Sequence, residues 1–184
     1  MPSLAGARTE LSRFLSFVLR HRPEAIGLEL DPNGWADIDD LVERARAHGK
    51  LLTREDVEAI AATNPKQRFA ISEDGRRVRA SQGHSVDVDL GYEPGVPPEI
   101  LFHGTIAASL AAIREGGLQR MERHHVHLSP DVETARVVGR RRGRPVVLRV
   151  AAGRMHRDGH VFLLSANGVW LTEHVPPLYI DVPG

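Results

Sequence analysis

The sequence predicts an α+β fold made of two lobes. Up to about residue 60, apolar residues recur at helical spacing, and a hairpin pattern follows. From residue 99 onward, short apolar runs separated by turn residues are typical of strands. Between the two, segment 86–98 gathers Gly and Pro and loses helical periodicity, as a linker does. We therefore place an N-terminal lobe at residues 1–85 and a β-rich C-terminal lobe at residues 99–184.

The N-terminal lobe is expected to begin with three helices. Apolar residues at i, i+3, i+4 and i+7 across 11–18 predict a first helix that ends near His21, because Pro23 disfavours helix just before it. A second helix is expected to begin at Asp37. A third is expected after Thr53, since an acidic residue three positions later resembles a capping box.

A strand, a turn and a second strand follow in RFAI, SEDG and RRVRA, with Gly75 at the turn. Three helices closed by such a hairpin predict a winged helix. Winged helices often bind nucleic acid, but they also serve in protein contacts or as plain scaffold. The fold alone therefore does not decide the function.

The C-terminal lobe is expected to alternate strands with two short helices. Strands are predicted in ILFHGT, VHLS, PVVLRV, VFLLS, VWLTE and PLYIDV, and helices in SLAAIREGG and DVETARVVG. The pair Asn167-Gly168 lies between two apolar runs, which is a strong hairpin signal.

Composition excludes several classes of protein. The 24 basic and 24 acidic residues cancel, so no global attraction to nucleic acid is expected, and any polyanion must meet a local arginine cluster. There is no cysteine, which excludes disulfides and thiolate chemistry. Without a signal peptide or an apolar run of membrane-spanning length, we expect a soluble, cytoplasmic protein with no membrane partner. We also expect a monomer.

Candidate site residues in the first lobe are basic. Arg20 and His21 fall at the end of the first helix, where the helix dipole alone would favour cations. They are also suited to bind an anion, since Arg offers a planar fork of donors and His can donate beside it. Arg68 begins the first strand of the hairpin, where most arginines are merely solvated.

Candidates in the second lobe cluster around two strands. Arg123 immediately precedes a strand, and His125 and His127 alternate along it and so share a face. This His-x-His spacing also suits a metal, but no Cys or nearby carboxylate completes the set, and we expect no metal. The motif His103-Gly104-Thr105 ends another strand, and its glycine would let a ligand approach the backbone.

One basic run has two open interpretations, a solvated face or a contact with an RNA backbone. It consists of Arg140, Arg141, Arg142 and Arg144.

Five short blocks, taken in order, resemble the NAD-dependent RNA 2′-phosphotransferase family. They are LRHRP at 19–23, KQRFAI at 66–71, LFHGT at 101–105, MERHHVHLS at 121–129 and NGVWL at 167–171. The resemblance covers nearly the whole chain. It implies a winged-helix lobe joined to an ADP-ribosyltransferase-like lobe that binds NAD.

The resemblance also implies which residues form the site. The family's catalytic quartet falls on Arg20, His21, Arg68 and Arg123, which suggests a cleft between the lobes. Its NAD-binding positions fall on His103, Gly104, Thr105, His127 and Ser129. A third signature position, a glutamate in many protein-modifying relatives, falls near Val169 and is apolar here.

The implied reaction has two steps and consumes NAD as a co-substrate. The RNA 2′-phosphate, possibly in tRNA during splicing, attacks the nicotinamide ribose and expels nicotinamide, leaving an ADP-ribosylated RNA phosphate. The neighbouring ribose hydroxyl then attacks phosphorus, releasing 2′-OH RNA and ADP-ribose 1″,2″-cyclic phosphate. Our hypothesis is that three arginines, Arg20, Arg68 and Arg123, clamp the phosphate while His21 donates a proton or hydrogen bond.

Two alternatives stay open. One is an ADP-ribosyltransferase that caps terminal phosphates of RNA or DNA and stops after the first step. The other is a non-catalytic winged-helix protein that binds nucleic acid.

Overall fold

The chain divides into two units, Met1–Gly91 and Tyr92–Gly184. The structure is a computed structural model, and it describes residues 4–64 and 67–182. Lys66, the first residue of the KQRFAI block, lies outside the described residues. Helices and strands are both well represented, in agreement with the predicted α+β class.

Among its described residues, the first unit contains three helices and three short strands. In chain order these are α1 (Leu4–Arg20), β1 (Trp35–Asp37), α2 (Ile38–Ala47), α3 (Arg54–Thr63), β2 (Phe69–Ile71) and β3 (Arg77–Ala80). A single 3-10 turn, Pro23–Ile26, follows α1.

The helix boundaries follow from local sequence. Helix α1 ends at Arg20, as Pro23 predicted. The Asp37 side chain accepts hydrogen bonds from two backbone amides at the start of α2. Thr53 and Asp56 form a full capping box at the start of α3. The three predicted helices are therefore confirmed.

The strands of the first unit form one antiparallel sheet in the order β1-β3-β2. The hairpin of β2 and β3 confirms the prediction, and Gly75 at its turn has a φ of 69°, which favours glycine. Strand β1 was not predicted, because three residues are too few to show alternation. One apolar core joins the helices to this sheet through buried residues such as Leu15, Leu41 and Val78.

Residues 85–90 make hydrogen bonds within the first unit. Ser85 donates its amide to the Arg20 carbonyl at 2.9 Å. Asn33 donates to the Asp89 carbonyl at 2.8 Å. Part of the predicted linker is therefore tied to the N-terminal unit.

The second unit contains three helices and eight strands among its described residues. They are β4 (Leu101–Ile106), α4 (Leu110–Gly116), β5 (Leu118–Gln119), β6 (Val126–Leu128), α5 (Val132–Gly139), β7 (Pro145–Val150), α6 (Ala152–Arg157), β8 (Leu163–Leu164), β9 (Trp170–Thr172), β10 (His174–Val175) and β11 (Ile180–Asp181).

Two three-stranded sheets dominate this unit, with orders β11-β7-β4 and β6-β9-β8, and β10 pairs with β5. Phe102 on β4 and Ser129 after β6 exchange two backbone hydrogen bonds of 2.8 Å, which join the two sheets. The predicted hairpin of β8 and β9 is confirmed, with Gly168 at a φ of 77°. In PLYIDV, only Ile180–Asp181 is a strand, and the preceding three residues form a 3-10 turn.

Helix α5 packs directly on the backbone of β4. A Cβ built on Gly104 would lie 1.7 Å from the Ala135 carbonyl oxygen, so no larger residue fits there without moving α5. A Cβ built on Gly139, the last residue of α5, would lie 2.9 Å from the Thr105 carbonyl oxygen, which is also too close. Within the described residues, no helix has the length and apolarity that crossing a membrane requires.

Candidate functional site

In the first unit, the structure brings Arg20 and Arg68 together. The Arg20 guanidinium donates to the Arg68 carbonyl at 3.4 Å and lies 6.0 Å from the centre of the Phe69 ring. The Arg68 carbonyl also accepts the Ser81 amide at 2.9 Å, which continues the pairing of β2 with β3. The end of α1 is therefore fixed beside the start of β2, although 48 residues separate them.

His21 is oriented by the chain that follows β3. Its Nδ1 lies 2.9 Å from the Ser85 hydroxyl. The same hydroxyl lies 3.5 Å from the Arg20 carbonyl oxygen, so Ser85 contacts both residues at the end of α1. The contact holds the His21 side chain against the segment that follows β3.

In the second unit, His103 on β4 has a defined tautomer. Its Nδ1 lies 3.0 Å from the His127 carbonyl oxygen, which can only accept, so Nδ1 carries the hydrogen. Burial lowers the pKa of His103 below its ordinary value of 6.5, although the hydrogen bond to His127 opposes this, and the charges of Arg142 and Arg123 lower it further. The neutral ring therefore offers Nε2 as an acceptor.

His127 links His103 to Arg123. The Arg123 guanidinium, a pure donor, lies 3.4 Å from His127 Nδ1, so this nitrogen accepts. Three predicted site residues thus form a chain that runs from Arg123 through His127 to His103.

Arg123 lies in a region of concentrated positive charge. More than a third of its surface is exposed, yet its surroundings desolvate the guanidinium enough to lower its pKa, and repulsion from Arg142 and Arg141 adds to the effect. A cation held among other cations is stabilised by an anion, so this neighbourhood is suited to bind a phosphate.

The remaining predicted positions lie around the same strands. Thr105 is buried on β4. Ser129 follows β6 and pairs with Phe102. Gly104 has a structural reason to be glycine, the contact with α5, in addition to the predicted approach of a ligand.

Val169 lies near Ser129 in the sheet. Strand β9 pairs with β6 so that Trp170 faces Leu128, which places Val169 one position further on, toward Ser129. The apolar third signature position is therefore beside the predicted NAD-binding strand.

Within the described residues, no three His, Cys, Asp or Glu side chains gather as metal ligands would.

Two residues near these positions were not assigned a role by the sequence. Ser85 lies 64 positions from the histidine that it contacts, and no local pattern connects them. Arg142 belongs to a basic run whose role was open, and only the fold shows that it acts on both His103 and Arg123.

Comparison with known proteins decides the family. The sequence model of the RNA 2′-phosphotransferase, Tpt1 / KptA family matches residues 6–174. The chain belongs to this family. Membership confirms the resemblance and supports RNA 2′-phosphotransferase activity.

Several relatives match this member of the RNA 2′-phosphotransferase family almost from end to end. A protein of Streptomyces coelicolor named "Probable RNA 2′-phosphotransferase" is 58% identical over 174 residues, 95% of this chain and 94% of the relative. Proteins of the same name from Rhodopirellula baltica and Burkholderia pseudomallei are 55% and 51% identical, each covering at least 94% of both chains.

Proposed function

We propose that this RNA 2′-phosphotransferase uses NAD as its co-substrate. It transfers the 2′-phosphate of an RNA, such as a tRNA, to NAD and releases nicotinamide, 2′-OH RNA and ADP-ribose 1″,2″-cyclic phosphate. The observation that carries the proposal is the hydrogen-bonded chain of Arg123, His127 and His103. It supports the proposal because Arg123, which we assign to the phosphate, is linked to the two histidines that the resemblance assigns to NAD.

The donors and acceptors of the second unit fit a dinucleotide. His103 is held neutral, with its Nε2 as an acceptor for a ribose hydroxyl. His127 accepts from Arg123 at Nδ1, which holds its ring between Arg123 and the strand that carries His103. NAD supplies the ADP-ribosyl group that takes the phosphate. No glycine-rich dinucleotide fingerprint is needed, because this unit is not a doubly wound sheet.

The arginines are assigned to the phosphate on electrostatic grounds. Charge grows on the phosphoryl oxygens as the phosphate moves from the RNA, and fixed guanidinium groups stabilise that charge. We assign Arg20, Arg68 and Arg123 to this role. We assign His21, whose Nδ1 lies 2.9 Å from the Ser85 hydroxyl, to donate a proton to the departing RNA oxygen when the ring is protonated.

The architecture of each unit supports the lobes that the resemblance implies. A three-stranded sheet in the order β1-β3-β2, packed on three helices, is the arrangement expected of a winged helix. Two joined sheets with α5 laid on β4 are compatible with an ADP-ribosyltransferase-like lobe. We propose these as the fold assignments of the two units.

A product assay tests the proposed function. The protein is incubated with NAD and a short RNA that carries one internal 2′-phosphate, and the nicotinamide, the RNA and the ADP-ribose species are followed. We expect 2′-OH RNA and the cyclic phosphate in equal amounts. Loss of the 2′-phosphate without NAD consumption would refute the proposal, and a stable ADP-ribosylated terminus would instead identify a capping enzyme. RNA binding with no reaction would indicate a binding protein.

Single substitutions test the roles that we assign to these residues. Arg123→Ala removes a fixed cation from the phosphate, and we expect turnover to fall about 10²–10³-fold. His21→Ala should slow the second step most, so that the ADP-ribosylated intermediate accumulates. Arg120→Ala is the matched control, since Arg120 is an exposed arginine three positions away. Near wild-type turnover in Arg123→Ala would exclude the assigned role.

A further inference from the structure

Two residues have a backbone conformation that side chains disfavour, and both lie shortly before an arginine assigned to the phosphate. Among the described residues other than glycine, Gln67 and Met121 have positive φ, 41° and 56°. Gln67 precedes Arg68 by one position, and Met121 precedes Arg123 by two. Such a conformation costs free energy and persists where surrounding contacts hold it, often beside a functional side chain. The contacts around Gln67 therefore indicate how Arg68 is positioned.

The backbone of Gln67 is held from two sides. Its amide donates to the carbonyl of Asn64, at the end of α3, at 2.8 Å. Its carbonyl accepts the Ser81 hydroxyl at 2.7 Å, the usual length of an O–H···O hydrogen bond. Gln67 itself is exposed. Backbone hydrogen bonds, rather than packing of its side chain, therefore keep this residue in the left-handed region.

Ser81 also holds the residue that follows Gln67. Ser81 comes directly after β3 and is buried. Its amide donates to the Arg68 carbonyl at 2.9 Å, and the same carbonyl accepts from the Arg20 guanidinium at 3.4 Å. Ser81 thus binds two successive carbonyls, those of Gln67 and Arg68. The second of these carbonyls is also a contact of Arg20.

The segment that begins at Ser81 continues to the end of α1. The Ser85 and Val86 amides donate to the Arg20 carbonyl at 2.9 and 3.4 Å. The Ser85 hydroxyl lies 2.9 Å from His21 Nδ1. Segment 81–86 therefore connects the start of β2 with the end of α1, which are the two places that carry the candidate residues of the first unit.

The hydroxyl of Ser81 can be separated from the pairing of the strands. Strands β2 and β3 pair through backbone groups, and the Ser81 amide would continue this pairing with alanine in its place. The hydroxyl adds the contact with the Gln67 carbonyl, which alanine would lack. A substitution can therefore remove this contact and leave the sheet in place.

We propose that Ser81 is a positioning residue for the phosphate-binding arginines of the first unit, Arg68 and Arg20. Its hydroxyl holds Gln67 in the left-handed region and so fixes the backbone that carries Arg68 and accepts from Arg20. Guanidinium groups stabilise phosphate charge best when they are already in place, and a displacement of about 1 Å can cost about a hundredfold in rate. This inference rests on the proposed function, since it assumes that these arginines contact the 2′-phosphate.

The first experiment compares Ser81→Ala with Ser72→Ala. Ser72 lies at the turn of the same hairpin, where its hydroxyl accepts the Arg77 amide at 2.9 Å, so it is a matched control away from the arginines. Without NAD, binding is measured for a short RNA with one internal 2′-phosphate and for the same RNA with a 2′-hydroxyl. We expect Ser81→Ala to reduce the preference for the phosphate about tenfold, the equivalent of one hydrogen bond. Ser72→Ala should reduce it less than about twofold.

A second pair of variants changes Gln67, whose exposure makes a loss of packing small. Valine disfavours positive φ, whereas asparagine tolerates it. Gln67→Val should therefore reduce the preference for the 2′-phosphate about as much as Ser81→Ala, and Gln67→Asn should keep it. If Ser81→Ala does not fold, this pair decides the question.

Two outcomes overturn the inference. A folded Ser81→Ala or Gln67→Val variant with the wild-type preference for the 2′-phosphate would do so. Equal losses in Ser81→Ala and Ser72→Ala would instead assign the effect to hairpin stability, which urea unfolding of all variants measures independently. The proposed use of NAD fails separately, if wild-type protein removes the 2′-phosphate without consuming NAD, because the binding preference is measured without NAD.

Discussion

The two units hold their candidate residues in different ways. In the first unit, Arg20 and His21 lie where α1 ends, and their side chains form hydrogen bonds with Arg68 and Ser85, which are distant in sequence. In the second unit, His103 lies on β4. Helix α5 packs so closely on the β4 backbone that Gly104 has no room for a side chain. The first arrangement depends on side-chain hydrogen bonds, and the second depends on backbone packing.

This difference predicts how each unit tolerates change. A hydrogen bond that is lost at a partly exposed position costs little stability but allows a side chain to turn. A clash between two backbones displaces a whole helix. Changes in the first unit should therefore affect rate more than stability, whereas changes under α5 should affect stability first.

The largest expected effect is that of Gly104→Ala. The new methyl would lie 1.7 Å from the Ala135 carbonyl oxygen and 2.8 Å from the Gly139 amide nitrogen, so α5 has to move. We expect a loss of about 3 kcal/mol in the free energy of unfolding, measured by urea denaturation. Gly116→Ala on α4 is the matched control, because the nearest atom to its new methyl lies 3.8 Å away. A Gly104→Ala variant as stable as Gly116→Ala would refute the packing argument.

A smaller effect is expected for Ser85→Ala in the first unit. The substitution removes the hydroxyl 2.9 Å from His21 Nδ1, so the ring loses a contact that orients it. We expect kcat to fall about tenfold, the equivalent of one hydrogen bond, while KM for NAD stays the same. Ser85→Thr keeps the hydroxyl and should restore kcat and its pH profile. If Ser85→Ala has the wild-type kcat, Ser85 does not position His21.

The smallest effect is a pH dependence of stability in the second unit. Burial lowers the pKa of His103 in the folded state, so the unfolded chain binds the proton more tightly. The contribution to stability is complete above the ordinary value of 6.5 and is lost as the pH falls below it. His125 shifts in the same direction, also mainly through burial.

Hydrogen exchange measures this dependence strand by strand. Between about pH 7.5 and 5.5, and after correction for the intrinsic exchange rate, β4 amides should lose protection. His103→Asn keeps a donor for the His127 carbonyl but cannot titrate, and should flatten the dependence. An equal slope in wild type and His103→Asn would show that another group is responsible.

Local chemistry made much of the fold predictable. The Asp37 cap, the Thr53 capping box and the Asn167-Gly168 turn each depend on residues a few positions apart, and all three appear as expected. Strand β1 and helix α6 are too short to show a period, and the sequence did not predict them. Short elements such as these form because of the segments that pack or pair with them in the fold. The order of residues along the chain does not show which segments become neighbours.

The candidate site was predictable by residue type but not by contact. Basic residues and histidines in recognisable blocks suggested Arg20, His103 and Arg123. That His103 donates to the His127 backbone carbonyl, and that His127 in turn accepts from Arg123, are consequences of how the strands meet. Such contacts join residues dozens of positions apart, and no spacing rule reports them.

The hydrogen bonds of residues 85–90 determine where the chain can be truncated to isolate the N-terminal unit. A fragment cut at residue 85 would discard the Asp89 carbonyl that holds Asn33 and the Leu90 carbonyl that accepts from Arg79. A fragment extended through Gly91 keeps both. To prepare the N-terminal unit alone, the chain is therefore better truncated after Gly91. This position lies within segment 86–98, which composition alone predicts to be a linker.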